Sequence, residues 1–271
     1  MLSDKARFAT TLAAALLPLV SVAQQQSYEA AAPAPLRPPV TGLSLRAGAQ
    51  HLTGGYGDWR EVSLQGTHET GPHVVQGELS TFRRFHENGV FVGLADTYTW
   101  NPDWYTRLSV GAGDNAFFLP RWRVDGSLHR KLLADRQLVA SVGLGFVRMP
   151  DGHEDKSLTL GGVYYFKSPW IVQGGVRFNN SSPGSVDTRQ QWLAASYGRS
   201  GADIVTARYG WGREGYQAIG QASSLVDFSS KEGSVAWRHW MAPNWGLQLS
   251  LEAYRNPVYH RAGGSVELFW Q

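Results

Sequence analysis

No cysteine occurs in the 271 residues, so no disulfide framework holds this fold together. Small secreted domains usually depend on such bridges. Long apolar runs are equally scarce. The most prominent, from Phe8 to Val20, is short for a membrane-crossing helix, which needs ~20 residues. Charge is low too. The formal net charge is +3, or +2 once Asp4, Lys5 and Arg7 are set aside, too weak to draw a nucleic acid. No phosphate loop or nucleotide fingerprint appears, and no cofactor is expected.

The start of the chain has a different logic. Lys5 and Arg7 precede the apolar run, and Ser21-Val22-Ala23 fits a small-x-small cleavage site. Residues 1–23 therefore read as a secretory signal peptide. Residues 24–40, QQQSYEAAAPAPLRPPV, read as a flexible periplasmic lead-in. From Thr41 to Gln271 no linker interrupts the text, so 41–271 is expected to be one domain.

What is abundant is ring and glycine: 11 Trp, 11 Tyr, 11 Phe and 31 Gly. They fall into segments that alternate with period two. Trp170, Val172, Gly174, Val176 and Phe178 share one face, and Ile171, Gln173, Gly175 and Arg177 the other. The stretches 122–128, 158–166 and 245–253 repeat the design. Fourteen such segments are counted, with twelve also compatible. Those at 58–69, 89–100 and 228–240 alternate poorly, and Trp100 and Trp240 fall out of phase, which points to bulges there.

Three strands begin alike, with proline and then tryptophan: NPDW at 101–104, SPW at 168–170 and APNW at 242–245. Four segments separate one from the next, so these tight turns are expected at one end of the sheet. Longer connections are expected at the other, including GDNAF, MPDGHED, NNSSPGSVD and the stretch from Gly212 to Asp227. Short turns at one end and long loops at the other characterise outer-membrane barrels. Trp104, Trp170, Phe178, Trp245 and Trp270 then form membrane-interface girdles. Trp170 and Phe178 are separated by ~27 Å of strand. At a tilt of ~40° this is ~21 Å of height, against an apolar band of ~25 Å.

The fold class expected is therefore all-β, a single closed antiparallel transmembrane barrel in the bacterial outer membrane. A soluble sandwich competes, but it hides its apolar face and needs no aromatics at both strand ends. In the barrel, alternation turns Arg107, Arg123, Asp125, Arg177, Arg199, Arg208, Arg238, Glu252 and Glu267 inward, with Tyr105, Tyr165, Tyr197 and Phe269. Each charge would cost ~2–4 kcal/mol against lipid at mid-depth. These residues either pair across a filled lumen or guide an anionic or sugar substrate.

Catalysis is poorly represented. No Ser/His/acid arrangement falls on adjacent strands. His153, Glu154 and Asp155 read as a solvated loop, not a metal site. Arg213 and Glu214 read as a solvated loop pair.

The final strand, SVELFW followed by Gln271, is similar to the closing strands that outer-membrane proteins present to their insertion machinery. Together with GGYGDWREVSLQ at 54–65, YYFKSPWIVQGGVRF at 164–178 and RYGWGREGY at 208–216, it makes residues 41–271 resemble the YaiO family of outer-membrane barrels. The resemblance implies one barrel and an association with export of extracellular polysaccharide. The expected function is a passive, porin-like part of polysaccharide export or cell-surface assembly. The alternatives are a non-conducting structural barrel and a lipid-modifying barrel enzyme. Expected partners are outer-membrane lipids and lipopolysaccharide, the barrel-insertion machinery, a polysaccharide, and a separate periplasmic scaffold.

Overall fold

The computed structural model describes residues 41–271; the signal-peptide and lead-in readings fall on residues 1–40, outside the described part. Fourteen antiparallel strands form one closed barrel in which every strand pairs with its sequence neighbours and β1 pairs with β14. The strands are β1 (Thr41–Leu52), β2 (Asp58–Thr70), β3 (His73–Arg84), β4 (Glu87–Asn101), β5 (Trp104–Gly113), β6 (Trp122–Leu132) and β7 (Leu138–Arg148). They continue with β8 (Glu154–Tyr165), β9 (Trp170–Ser182), β10 (Val186–Gly198), β11 (Asp203–Gly220), β12 (Ser223–Ala242), β13 (Trp245–Arg255) and β14 (His260–Trp270).

The outer wall is apolar because alternation puts it there. Leu45, Val62, Leu79, Val92, Leu108, Leu144, Leu160, Leu193, Val235, Leu251 and Val266 are all exposed. In water such a surface would be an aggregation liability; in lipid it is the solvated face. Closure removes the open strand edges that a sheet must otherwise protect.

Rings bracket this aliphatic band. At the end that holds Thr41 and Gln271 stand Tyr98, Trp100, Trp104, Tyr164, Phe166, Trp170, Trp237, Trp245 and Trp270. At the other end stand Trp122, Phe146, Phe178 and Trp211, with Trp122 stacked on Phe146 at 4.9 Å. Indole and phenol rings settle where apolar body and polar tip meet different media. Pro102, Pro169 and Pro243 all lie in connections at the first end, which is the periplasmic one by its short turns.

The turn asymmetry is milder than the sequence led us to expect. The β5–β6 connection is long, 114–121, but the stretch 179–187 is mostly strand around a turn at 183–185. The stretch from Gly212 to Asp227 is not a loop. It is the upper part of a β11–β12 hairpin whose strands have 18 and 20 residues, against the ~9–11 needed to span. Register shifts occur after Thr99 and after Trp240, where the pattern had broken. Their effect differs: Trp100 stays outward, whereas Trp240 is buried inside against Phe269 at 5.2 Å.

Candidate functional site

The interior has three levels. The middle is an ionic belt. Inward positions of six consecutive strands face one another as Arg238, Gln248, Glu267, Arg46, Ser63 and Ser80. Arg46 Nε lies 3.2 Å from Glu61, and Arg238 lies 3.8 Å from Glu267. Arg208 reaches Glu232 at 3.2 Å, and Ser80 donates to Ser63 at 2.8 Å. Gln50 bonds Glu252. Apart from the half-buried Arg208 and Glu232 these groups are buried, so each must find a partner or bear a large desolvation cost.

The outer-leaflet end is capped. Beyond Trp211, β11 rises above the apolar band, and its hairpin lies across the mouth. Tyr254 Oη donates to Glu214 Oε1 at 2.9 Å, Gln217 Nε2 donates to Tyr259 Oη at 2.7 Å, and Asn256 Nδ2 donates to Gln217 Oε1 at 3.1 Å. Tyr216 bonds Asp151 and stacks on His153 at 3.6 Å. Ile219 packs on Leu52, Trp59, Tyr254 and Tyr259. The hairpin tip reaches the far wall, where Gln221 bonds Glu87 at the start of β4. Gly215 permits this approach, since a Cβ there would run into the side chains of Ser181 and Asn179.

The β5–β6 connection adds a second plug. Phe118 and Leu119 are buried on Phe82 and Phe91. Gly89 and Gly113 leave the space: a Cβ on either would stand 2.7 Å from the Leu119 side chain. Arg84 and Arg261 both stack on the indole of Trp59, with guanidinium carbons 4.6 and 4.7 Å from the ring centre.

The periplasmic end is a vestibule. Gln76, Arg107, Ser127 and Gln173, with Trp192 above them, point inward yet stay only half-buried. Tyr105 stacks flat on His129 at 4.4 Å, and Arg208 stands 5.8 Å from the Trp192 ring. Hydrogen-bonding side chains and ring faces are what a neutral polyhydroxylated ligand requires, and Arg107 bonds Gln76 there.

Arg107, Arg123, Asp125, Arg177, Arg208, Arg238, Glu252, Glu267, Tyr105, Tyr165 and Phe269 all lie on the inward face. Two of the sequence's lumen residues do not. Tyr197 is outward: it is the direct register partner of Trp170 and packs against that ring at 4.9 Å. Trp192, Ala194 and Ser196 fix the phase of β10 and leave Tyr197 to the lipid side. Arg199 lies beyond the end of β10, exposed in the turn to β11. Of the expected girdle, Trp104, Trp170, Phe178, Trp245 and Trp270 all stand on the outward face.

Arg46, Glu61, Arg84, Glu232 and Arg261, absent from the expected lining, also point inward. Leu45 and Ala47 around Arg46, and Val62 and Leu64 beyond Glu61, carried the signal. Glu214 is also corrected. It is buried and not solvated, and burial pushes its carboxyl above the usual range, assisted by Glu232. Its neighbour Arg213 is exposed and pairs with Asp227 at 2.6 Å. His153, Glu154 and Asp155 disperse. His153 lies under Tyr216, Glu154 pairs outward with Arg148, and Asp155 turns inward to Ser181 and Asn179.

Ser127 and His129, two residues apart on β6, come within 2.8 Å. A serine and histidine on one strand are not an arrangement across adjacent strands, which is why the spacing gave no sign of this pair. The imidazole lies flat on Tyr105 inside the wall, far from the lipid that a barrel lipase must reach.

This architecture defines an outer-membrane β-barrel with a capped, polar interior. The chain belongs to the YaiO membrane beta barrel family, whose model matches residues 41–217. No curated protein sequence matches it. Among solved structures it is similar to the CymD monoaromatic hydrocarbon channel (10% identity, TM-score 0.56, 85% of this chain and 87% of that one). It is also similar to a bacterial polysaccharide outer membrane secretin (11% identity, TM-score 0.53, 86% and 98%). OmpT of Vibrio cholerae follows with 9% identity, a TM-score of 0.50, and 86% and 97% coverage. At these identities the likeness concerns the fold.

Proposed function

We propose that this barrel is a gated, passive component of polysaccharide export. A glycan enters the vestibule from the periplasmic side and leaves when the β11–β12 hairpin lifts. One observation carries the reading: a half-buried lining of Gln, Ser, Tyr and Trp side chains lies beneath a cap that extends from wall strands β11 and β12 and is held over the mouth by side-chain hydrogen bonds to the facing rim. Ring faces and amide groups suit sugars, and the likeness to a barrel named for polysaccharide accords with it. In this scheme residues 1–23 direct secretion, residues 24–40 lead in from the periplasm, a separate scaffold protein delivers the chain, and β14 meets the insertion machinery.

Single-channel recording in planar bilayers tests the pore. The intact barrel is expected to be nearly silent, and deletion of residues 215–225 to give a steady conductance. Silence in both overturns it. A second reading, a non-conducting structural barrel, draws on the buried belt of Arg46, Glu61, Arg238 and Glu267, whose pairs fill the middle of the lumen. That reading expects silence after the deletion and an unchanged amount of secreted polysaccharide when the gene is removed.

A further inference from the structure

Arg60 on β2 and Arg83 on β3 are direct cross-strand partners. So are Lys231 on β12 and Arg255 on β13. All four side chains point outward, all are exposed, and all lie at the capped end, above the aliphatic band. Like charges directly opposite one another destabilise a sheet. Two other cations at this rim have an anion to hand, Arg213 with Asp227 at 2.6 Å and Arg148 with Glu154, while Arg121, Lys156 and Arg189 stand singly, with no like charge as a register partner among the described residues. Among the described residues none of these four forms an ion pair.

The two pairs flank the seam where the barrel closes. Between them lie only β14 and β1, so the inner members, Arg255 and Arg60, stand three strand spacings apart, ~14 Å across the strands, and four residues, ~13 Å, apart along them. The outward positions of that seam are small: Ala47, Ala49, Ala253, Ala262 and Gly264. Leu251 and Val62 rise on either side. The wall therefore has a shallow apolar trough with a doubly cationic post on each side of its upper end.

We propose that this seam binds a phosphorylated glycolipid of the outer leaflet, lipopolysaccharide. Its phosphates rest on Arg60/Arg83 and Lys231/Arg255, and its acyl chains lie in the trough. Phosphate oxygens take charge-assisted hydrogen bonds from guanidinium, often two at once. They also relieve the repulsion within each pair. The site is independent of the export reading and survives its failure.

The test uses the full barrel in neutral detergent, with lipid A and its dephosphorylated form as probes. Binding followed by native mass spectrometry is expected to favour the phosphorylated form at least about tenfold. The variant carrying Arg60→Gln, Arg83→Gln, Lys231→Gln and Arg255→Gln loses that preference. Arg130→Gln, at the periplasmic rim beside Trp104, keeps it. Equal binding of the two lipids, or an unchanged preference in the fourfold variant, overturns the proposal. Displacement of lipid A by excess inorganic phosphate overturns the lipid assignment and leaves a simple anion site. The double variants Arg60→Gln/Arg83→Gln and Lys231→Gln/Arg255→Gln give a second readout if the fourfold one does not fold. Each raises the unfolding temperature in neutral detergent by removing repulsion, and lowers it with lipid A present. A fall in both media overturns the proposal.

Discussion

Tyr254 on β13 donates its hydroxyl proton to Glu214 on the rising part of β11, at 2.9 Å, with both side chains buried. This bond moors the cap to the rim, and it makes mooring depend on pH. Burial favours the neutral carboxyl of Glu214, and Glu232 acts in the same direction; Ser230, Tyr254 and Arg261 oppose them without prevailing. A raised value in the docked state means that its contribution is complete below ~4.3, the ordinary Glu value, and is lost as pH rises through the raised one. Because the chain has no cysteine, Ser223→Cys at the hairpin tip takes a single environment-sensitive dye. The dye is expected to become more exposed to water as pH rises above the ordinary Glu range. Glu214→Gln flattens that profile.

Asp151 works in the opposite sense. Burial raises its carboxyl, but the hydrogen bonds from Tyr216 and His153 outweigh this and hold it low. Its contribution is present above ~3.9 and is lost as pH falls through the lowered value. Asp151→Asn should therefore loosen the same dye-labelled tip at neutral pH and have no effect below that window.

Glu61 holds two guanidinium groups, Arg46 at 3.2 Å and Arg84 at 3.9 Å, in a buried setting. Replacing it with Gln leaves both cations short of an anion. Loss of one member of a buried pair costs ~3–5 kcal/mol. The urea midpoint of the refolded barrel should fall accordingly. Replacing Arg46 by Met as well should recover part of the loss.

Leu144 is among the most exposed side chains of the outer wall, at 67%. Leu144 lies one outward position below Phe146 of the outer girdle, so Leu144→Arg should cost ~1–3 kcal/mol in bilayers, between the midplane and interface values for a guanidinium. In the soluble-sandwich alternative Leu144 would be hidden in the core, so the same change would be at least as costly in water, and the unaltered chain would fold without lipid. Equilibrium folding into liposomes distinguishes the two.

Leu119 is fully buried on Phe82 and Phe91. Leu119→Ala removes a buried side chain and leaves a void, at ~2–5 kcal/mol for such sites. The loss falls on the β5–β6 plug. Hydrogen exchange should rise in 114–121 and stay unchanged in β9. Combined with the hairpin deletion, it should increase conductance beyond the deletion alone.

The wall was legible in the sequence because lipid imposes one rule on every strand that crosses it. Trp170, Val172, Val176 and Phe178 had to face one way, and Arg177 followed. Where a strand leaves the lipid, the rule lapses. Beyond Trp211 neither face of β11 must be apolar, so the rising hairpin looked like a loop. The burial of Glu214 depends on Tyr254, 40 residues away, and no local pattern reports that contact. Tyr197 was misplaced for a different reason. Tyrosine suits both an interface and a polar lumen, so its type decides nothing, and only its pairing with Trp170 does.

The ring is sealed by its two outermost strands, β1 and β14, along ten residue pairs from Leu43–Trp270 to Leu52–Arg261. Until His260–Trp270 has been delivered, the growing sheet has two bare borders and no way to join them. Completeness is thereby written into the geometry: a prematurely ended polypeptide lacks the partner that β1 closes on and keeps adhesive edges.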